Sequence, residues 1–162
     1  MTCSKNNNKR DMESVSQGDY KKYENEVKKQ FINDFVNTPI YRNNKRISVG
    51  KTQEEIDKCF DHITSVGSMD SKTRLPDLRR MECIYILKSI LTDKDCQQCK
   101  NYYVWEKEEK YLKEKIFCPE TGYLIILNKR NFIYKIVSAY FIESPSKRKK
   151  LVSECQETLK SK

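Results

Sequence analysis

At 162 residues the chain has the length of one domain with room for a core, and its 32 Lys and Arg against 23 Asp and Glu give a formal charge of +9. That excess favours an anionic partner, most simply nucleic acid, although a lysine-rich composition without such a purpose fits the abundant Asn, Ile and Tyr equally. No apolar stretch follows Met1, which predicts neither a secretory signal nor a membrane span, and seven cysteines, an odd number, fit a reducing cytoplasm.

Residues 1–19 are polar and basic with almost nothing apolar, and read as a disordered tail before a single domain at 20–162. Tyr23, Val27, Phe31, Ile32 and Phe35 recur at helical spacing, predicting an amphipathic helix over 19–36 that Thr38-Pro39 ends. Residues 40–49 read as a short, basic, extended segment. Thr52-Gln53-Glu54-Glu55 fits a capping box and starts a short helix to about residue 58. Asp77 is a plausible cap for the next helix, 78–91, on which Arg80 shares a face with Ile84, Leu87 and Leu91 while Glu82 lies nearly opposite. An arginine at the edge of an apolar stripe needs a partner, either a structural carboxylate or carbonyl, or a ligand phosphate.

Residues 101–106 and the end of 107–117 have strand composition, and Cys118-Pro119-Glu120 reads as a turn. Residues 121–142 form the central hairpin: two runs rich in Ile, Val, Tyr and Phe around an Asn128-Lys129-Arg130-Asn131 break. Lys135, Ser138 and the hydroxyls of Tyr134 and Tyr140 interrupt the second run, and polar groups on an apolar strand need partners or a site to face. Ser144-Pro145-Ser146 precedes a closing helix over 146–159, capped by Ser146, with Leu151, Val152, Cys155 and Leu159 as its buried stripe and Lys147 and Arg148 in a basic first turn. The expected class is α+β: N-terminal helices packed on a mostly antiparallel sheet of about four strands, with a C-terminal helix.

Gly-rich phosphate loops, dinucleotide fingerprints and His-Glu-x-x-His are absent from the sequence, so no cofactor is expected. Cys96 and Cys99 have zinc-ligand spacing, but no second such pair exists, and Cys118 and His62 would have to complete a site. His62 is the lone histidine, and a lone histidine is more often structural or merely exposed than catalytic.

Five pieces in succession carry a resemblance: Phe60-Asp61-His62-Ile63-Thr64, Arg74-Leu75-Pro76-Asp77-Leu78-Arg79-Arg80-Met81-Glu82, Val104-Trp105-Glu106, Gly122-Tyr123-Leu124-Ile125-Ile126-Leu127 and Val137-Ser138-Ala139-Tyr140. In that order, over residues 59–159, the chain resembles the phage- and mobile-element-associated branch of the barnase, EndoU, colicin-nuclease and RelE-like ribonuclease superfamily. The resemblance implies a metal-independent endoribonuclease, acting as a toxin or effector, in which the RNA 2′-hydroxyl attacks its own phosphate to leave a cyclic phosphate. Its partners would be RNA and an inhibitor or immunity protein, with no membrane. It places His62 as acid or base, Arg80 or Arg79 on the phosphate, and Ser138 and Tyr140 as the hydroxyl-small-Tyr element, with Ser138 where threonine is expected. Glu82 is a further carboxylate, and the roles of Arg79, Arg80 and Glu82 stay open. Arg74, Lys135, Lys147 and Arg148 are the expected RNA-binding cations. Two other readings compete: a non-catalytic nucleic-acid-binding module, in which Arg42, Lys45 and Arg46 also serve and Tyr102, Tyr103 or Trp105 stack bases, and a protein-interaction domain with zinc at Cys96 and Cys99.

Overall fold

The computed structural model describes residues 17–67, 74–92 and 102–162. The expected residue 1–19 tail falls largely outside these residues, as do most of the 92–100 connection and both Cys96 and Cys99.

The chain is α+β. Helix α1 (Gln17–Ile32) carries the expected stripe and runs into a π-helical turn, Asn33–Asn37, before Pro39. Strands β1 (Tyr41–Arg42) and β2 (Lys45–Ser48) form a tight hairpin whose turn residues Asn43 and Asn44 take φ of 47° and 62°. Asparagine tolerates that left-handed region better than most residues. Helix α2 (Gln53–Thr64) begins where expected, with the Thr52 hydroxyl accepting from the Glu55 N–H at 3.2 Å. It runs past residue 58 because Ile56, Phe60 and Ile63 continue the buried face, so His62 stands in its last turn.

Strands β3 (Ser65–Val66) and β4 (Leu75–Pro76) make a small separate ribbon. The expected single helix over 78–91 is two: α3 (Leu78–Glu82), capped by Asp77, and α4 (Ile84–Thr92). The break at Cys83 detaches Arg80 from the apolar face formed by Ile84, Leu87 and Leu91, which are fully buried. Strands β5 (Tyr103–Glu108), β6 (Leu112–Phe117), β7 (Tyr123–Lys129) and β8 (Ile133–Phe141) form an antiparallel meander. The tip lies later than the sequence suggested: Asn128 and Lys129 still pair with β8, and Arg130 to Phe132 make the turn.

The sheet has six strands among the described residues, not about four, in the order β1-β2-β8-β7-β6-β5. It is mixed, because β2 pairs parallel with β8 through Arg46–Ile133, Ile47–Tyr134 and Ser48–Lys135. Helices α1 to α4 cover the inner face around Phe31, Val27, Leu87, Ile125, Leu127 and Tyr134. Each such fully buried aliphatic or aromatic side chain contributes about 1.5–3 kcal/mol.

Helix α5 (Pro145–Lys160) packs on the outer face against Trp105, Phe117, Leu124 and Tyr140. Ser144, not Ser146, is its cap, accepting from the Lys147 N–H, and Pro145 takes the first helical position, where its missing N–H is no loss. Cys155 is buried, whereas Leu159 is 58% exposed and leaves the expected stripe. Glu154 fastens α5 to the sheet, accepting from Trp105 Nε1 at 2.9 Å, Lys115 Nζ at 2.8 Å and Lys107 Nζ at 3.1 Å. Burial pushes its carboxyl up, but Lys115, Trp105 and Lys107 outweigh that and bring it to about 2.

A buried ion pair ties the two ends of the sheet: Arg42 on β1 bonds Glu114 on β6, with both side chains 5% exposed. Arg42 also donates to the Leu91 carbonyl at 3.0 Å, and the Tyr134 hydroxyl donates to Glu114 at 3.4 Å. Replacing Arg42 by Met strands the Glu114 carboxylate and should cost about 3–5 kcal/mol. The double variant Arg42→Met, Glu114→Leu should recover most of that loss. Urea unfolding of the two proteins measures the difference.

Candidate functional site

The sheet interior explains the polar residues of β8. From Ile133 to Ile136 the strand alternates, with Tyr134 and Ile136 buried on the inner face. The register then slips: Ile126 faces Ser138 while Leu127 faces Ile136, which leaves Val137 as an extra residue. Such a bulge re-aims the side chains beyond it. Without it Ser138 would join Ile136 in the core. With it, Ala139 and Phe141 turn inward and Ser138 and Tyr140 outward, on the same face as Ile133 and Lys135.

Beyond Lys135, β2 no longer pairs with β8. Helices α2 and α3 pack against β8 there. Lys135 lies close enough to α2 to act on its side chains. Burial pushes the Cys59 thiol up to about 12 against the opposing pull of Lys135, and Lys135 also contributes to the lowered Glu55 carboxyl, after the Lys51 backbone N–H that dominates it. His62 follows Cys59 by three residues, on the same side of the helix.

The C-terminal end of α2 is where the charges gather. The Ser65 hydroxyl donates back to the Asp61 carbonyl, and Arg74 wraps the same corner. Arg74 donates through Nε to the Ser65 hydroxyl at 2.8 Å, and through its terminal nitrogens to the carbonyls of Ser65 (2.9 Å), Gly67 (3.0 Å) and His62 (3.2 Å). Arg80 donates to the same Ser65 carbonyl at 2.6 Å and lies 3.8 Å from the Asp77 carboxylate. Its guanidinium carbon stands 5.9 Å from the centre of the Tyr140 ring. Backbone oxygens thus hold two guanidinium groups beside one imidazole.

His62 is half-buried. Burial, then Arg74, then Arg80 hold its pKa below the ordinary 6.5, with Asp61 pulling the other way. The imidazole is therefore neutral near pH 7 and able to accept a proton.

The remaining candidates divide. Arg79 is exposed and spent: it pairs with Glu143 at 2.7 Å, donates to the Thr121 carbonyl at 3.3 Å and stacks on Phe141 at 3.7 Å. Glu82 is half-buried in the last residue of α3. Ser138 is half-buried on β8, one outward position before Tyr140. Arg148 does not face solvent with Lys147. Its Nε donates to the Ile142 carbonyl at 2.6 Å, and its terminal nitrogens lie 3.4–3.5 Å from the carbonyls of Thr121 and Pro119. It lies over Gly122, whose φ of +77° suits glycine and where a Cβ would stand 2.4 Å from the guanidinium. Lys147 is exposed. Among the described residues no group of three His, Cys, Asp or Glu side chains is placed to hold a metal, and no helix is long and apolar enough to cross a membrane.

Sequence reasoning missed the Ser65 carbonyl, which positions both arginines and, as a backbone group, leaves no mark in residue identity. It also missed Tyr123, a buried neighbour of the site on the inner face: burial raises its hydroxyl pKa well above 10 and Cys83 adds to this, while Arg80 opposes it. No family model, curated protein or solved structure matches the chain.

The depressed His62 pKa has a definite sign. Between 6.5 and its lower folded value, the unfolded chain binds a proton that the folded chain does not, so stability falls as pH drops through that window. His62→Gln should flatten the loss of stability as pH drops below 6.5. In the parent chain, inorganic phosphate bound between the arginines should raise the imidazole pKa. NMR titration of the single histidine reads it directly.

Proposed function

We propose that the chain is a metal-independent endoribonuclease of the ribonuclease superfamily that its sequence resembles, cleaving RNA through attack of the 2′-hydroxyl on the adjacent phosphate. The single observation that supports this best is a half-buried imidazole, its pKa held below 6.5, beside two guanidiniums, one of them over a tyrosine ring on the sheet edge. In this reading His62 takes the 2′-proton. Arg80 meets the charge that develops on the phosphorane oxygens, where fixed donors are worth most. Arg74 adds to the positive field while bracing the corner. The Tyr140 hydroxyl delivers a proton to the departing 5′-oxygen, and Ser138 bonds a phosphate oxygen. Bond formation from O2′ and loss of O5′ leave a 2′,3′-cyclic phosphate and a free 5′-hydroxyl, so the chain itself supplies no nucleophile. A toxin or effector that acts on cellular RNA, held in check by an inhibitor protein, is the setting this activity suits.

A second reading is favoured by a specific observation. Each nitrogen of the Arg74 guanidinium already donates to oxygens of its own chain, and Arg80 shares one of those oxygens. Guanidiniums so occupied suit a basic module that binds RNA without cutting it.

Cleavage of a single-stranded RNA in the presence of a chelator separates the two. His62→Ala should lower the rate by about 10²–10⁴-fold. Arg80→Ala should lower it by about 10²–10³-fold. A substrate with a 2′-deoxy sugar at the scissile position should be inert, and the parent product should carry a cyclic phosphate. Intact RNA with the parent chain selects the binding module, and cleavage at equal rates with His62→Ala overturns the role given to His62.

A further inference from the structure

The end of the sheet away from His62 carries exposed aromatic rings set among cations. Phe132, at the tip of the β7–β8 turn, is 85% exposed, Tyr41 on β1 is 58% exposed and Tyr111 before β6 is 48% exposed. Leaving three large rings in water is unfavourable for folding, so a role outside the core is the physical question. The strand registers make them neighbours. Tyr41 faces Arg46, Arg46 faces Ile133, and the Arg130 N–H bonds the Ile133 carbonyl at 2.9 Å. The Arg130 guanidinium lies 5.9 Å from the Tyr111 ring centre, and Lys110 Nζ lies 5.8 Å from the same ring. Among the described residues the carboxylates near this end include Glu108, Glu109, which is paired with Lys113, and Glu106, which is paired with Lys129.

The outward side chains of β8 connect this end to the site already described. Ile133, Lys135, Ser138 and Tyr140 share one face, and they run from the tip to the corner where Arg80 and His62 meet. Helix α5 packs mainly on β5 and meets this face at Tyr140, while Ile133, Lys135 and Ser138 are half-buried. The nine residues of β8 span about 26 Å. A strand that advances at least ~3.4 Å per phosphate covers that length in at most about eight nucleotides.

We infer that the aromatic and basic end formed by Tyr41, Arg46, Tyr111, Arg130 and Phe132 is a second binding site for single-stranded RNA, reached from the first along the outer face of β8. The inference rests on RNA as the ligand of the His62 corner. Flat rings interleaved with cations suit a splayed strand: each base offers a face to stack on, and each phosphate a charge to neutralise. A duplex hides its base faces and would gain only the charge. The overall charge of +9 favours the same class of partner. The site requires no chemistry. It holds a long substrate by its far end while the other end lies at the imidazole, so it acts on long RNA and leaves short RNA unaffected.

The test uses the full chain with His62→Ala, so that bound RNA stays intact, and end-labelled single strands of about four and about twelve nucleotides. Phe132 and Arg130 are exposed, so their replacement by Ala does not disturb the core. Phe132→Ala should weaken binding of the longer strand by about 5- to 100-fold and leave the shorter unchanged. Arg130→Ala should reduce the slope of log affinity against log salt for the longer strand by about one. Unchanged affinity in both variants overturns the inference, as does equal loss for both lengths or equal binding of a duplex. If both variants bind like their parent while the His62-intact chain still cuts RNA, this inference fails alone. If no strand binds, the nuclease reading falls with it.

Discussion

The fold depends on the buried contact between Arg42 and Glu114. In the sheet order, β1 and β6 are separated by β2, β8 and β7. Four strand spacings of about 4.8 Å would put them about 19 Å apart on a flat sheet. Their side chains nonetheless meet. The sheet must therefore curl around its inner face, and the pair lies inside that curl with the Leu91 carbonyl and the Tyr134 hydroxyl as further hydrogen-bond partners. A buried ion pair is weak evidence of net stability, since desolvation offsets much of the attraction. Its value here is in selecting one shape. A strand of two residues such as β1 has little pairing energy of its own, and the arginine it carries holds it against the far side of the sheet.

The curl also defines the outer face on which Ser138 and Tyr140 lie, while His62 and Arg80 stand on helices that cover the inner face. Inner-face residues of β7 and β8 meet α1 to α4, and α5 takes the outer face at Trp105, Phe117, Leu124 and Tyr140. The bulge at Val137 then decides what the outer face of β8 carries. One extra residue moves Ser138 and Tyr140 out of the core and brings Ala139 and Phe141 into it. Tyr140 reaches the guanidinium of Arg80 only because of that shift. Packing and site geometry are thus set by the same irregularity, and an insertion or deletion near Val137 would disturb both together.

Local signals carried much of the architecture. The apolar stripe of α1, the cap at Thr52, the cap at Asp77, the central hairpin and the C-terminal helix were all legible, because each depends on residues within a few positions of one another. What was not legible is non-local. The parallel pairing of Lys45–Ser48 with β8 joins segments far apart in sequence, and four residues are too few to show a period. The break at Cys83 has no Pro or Gly to mark it. The bulge shows in sequence only as Ser138 interrupting an apolar run, which does not by itself mark a change of face. Among the candidate site residues, identity alone could not tell a free arginine from a committed one. Arg148 sits in a basic run like its neighbours, yet it braces the turn at Gly122.

The partners of each arginine rank them as anion binders. Arg79 has its charge matched by the Glu143 carboxylate, so an incoming phosphate would have to displace that ion pair. Arg148 is packed over a glycine against three carbonyls, and moving it would undo the turn between β6 and β7. Arg74 and Arg80 differ from both. They are anchored mainly by neutral oxygens, and among the described residues the carboxylate in contact, Asp77, is 3.8 Å from Arg80. Carbonyl dipoles orient a guanidinium without cancelling its charge, so this corner keeps a local positive field that lowers the proton affinity of His62. A bound phosphate would oppose that field and raise the affinity again. Arrival of the anion and readiness of the imidazole to accept a proton are thereby linked through one electrostatic balance, built on the carbonyl of Ser65.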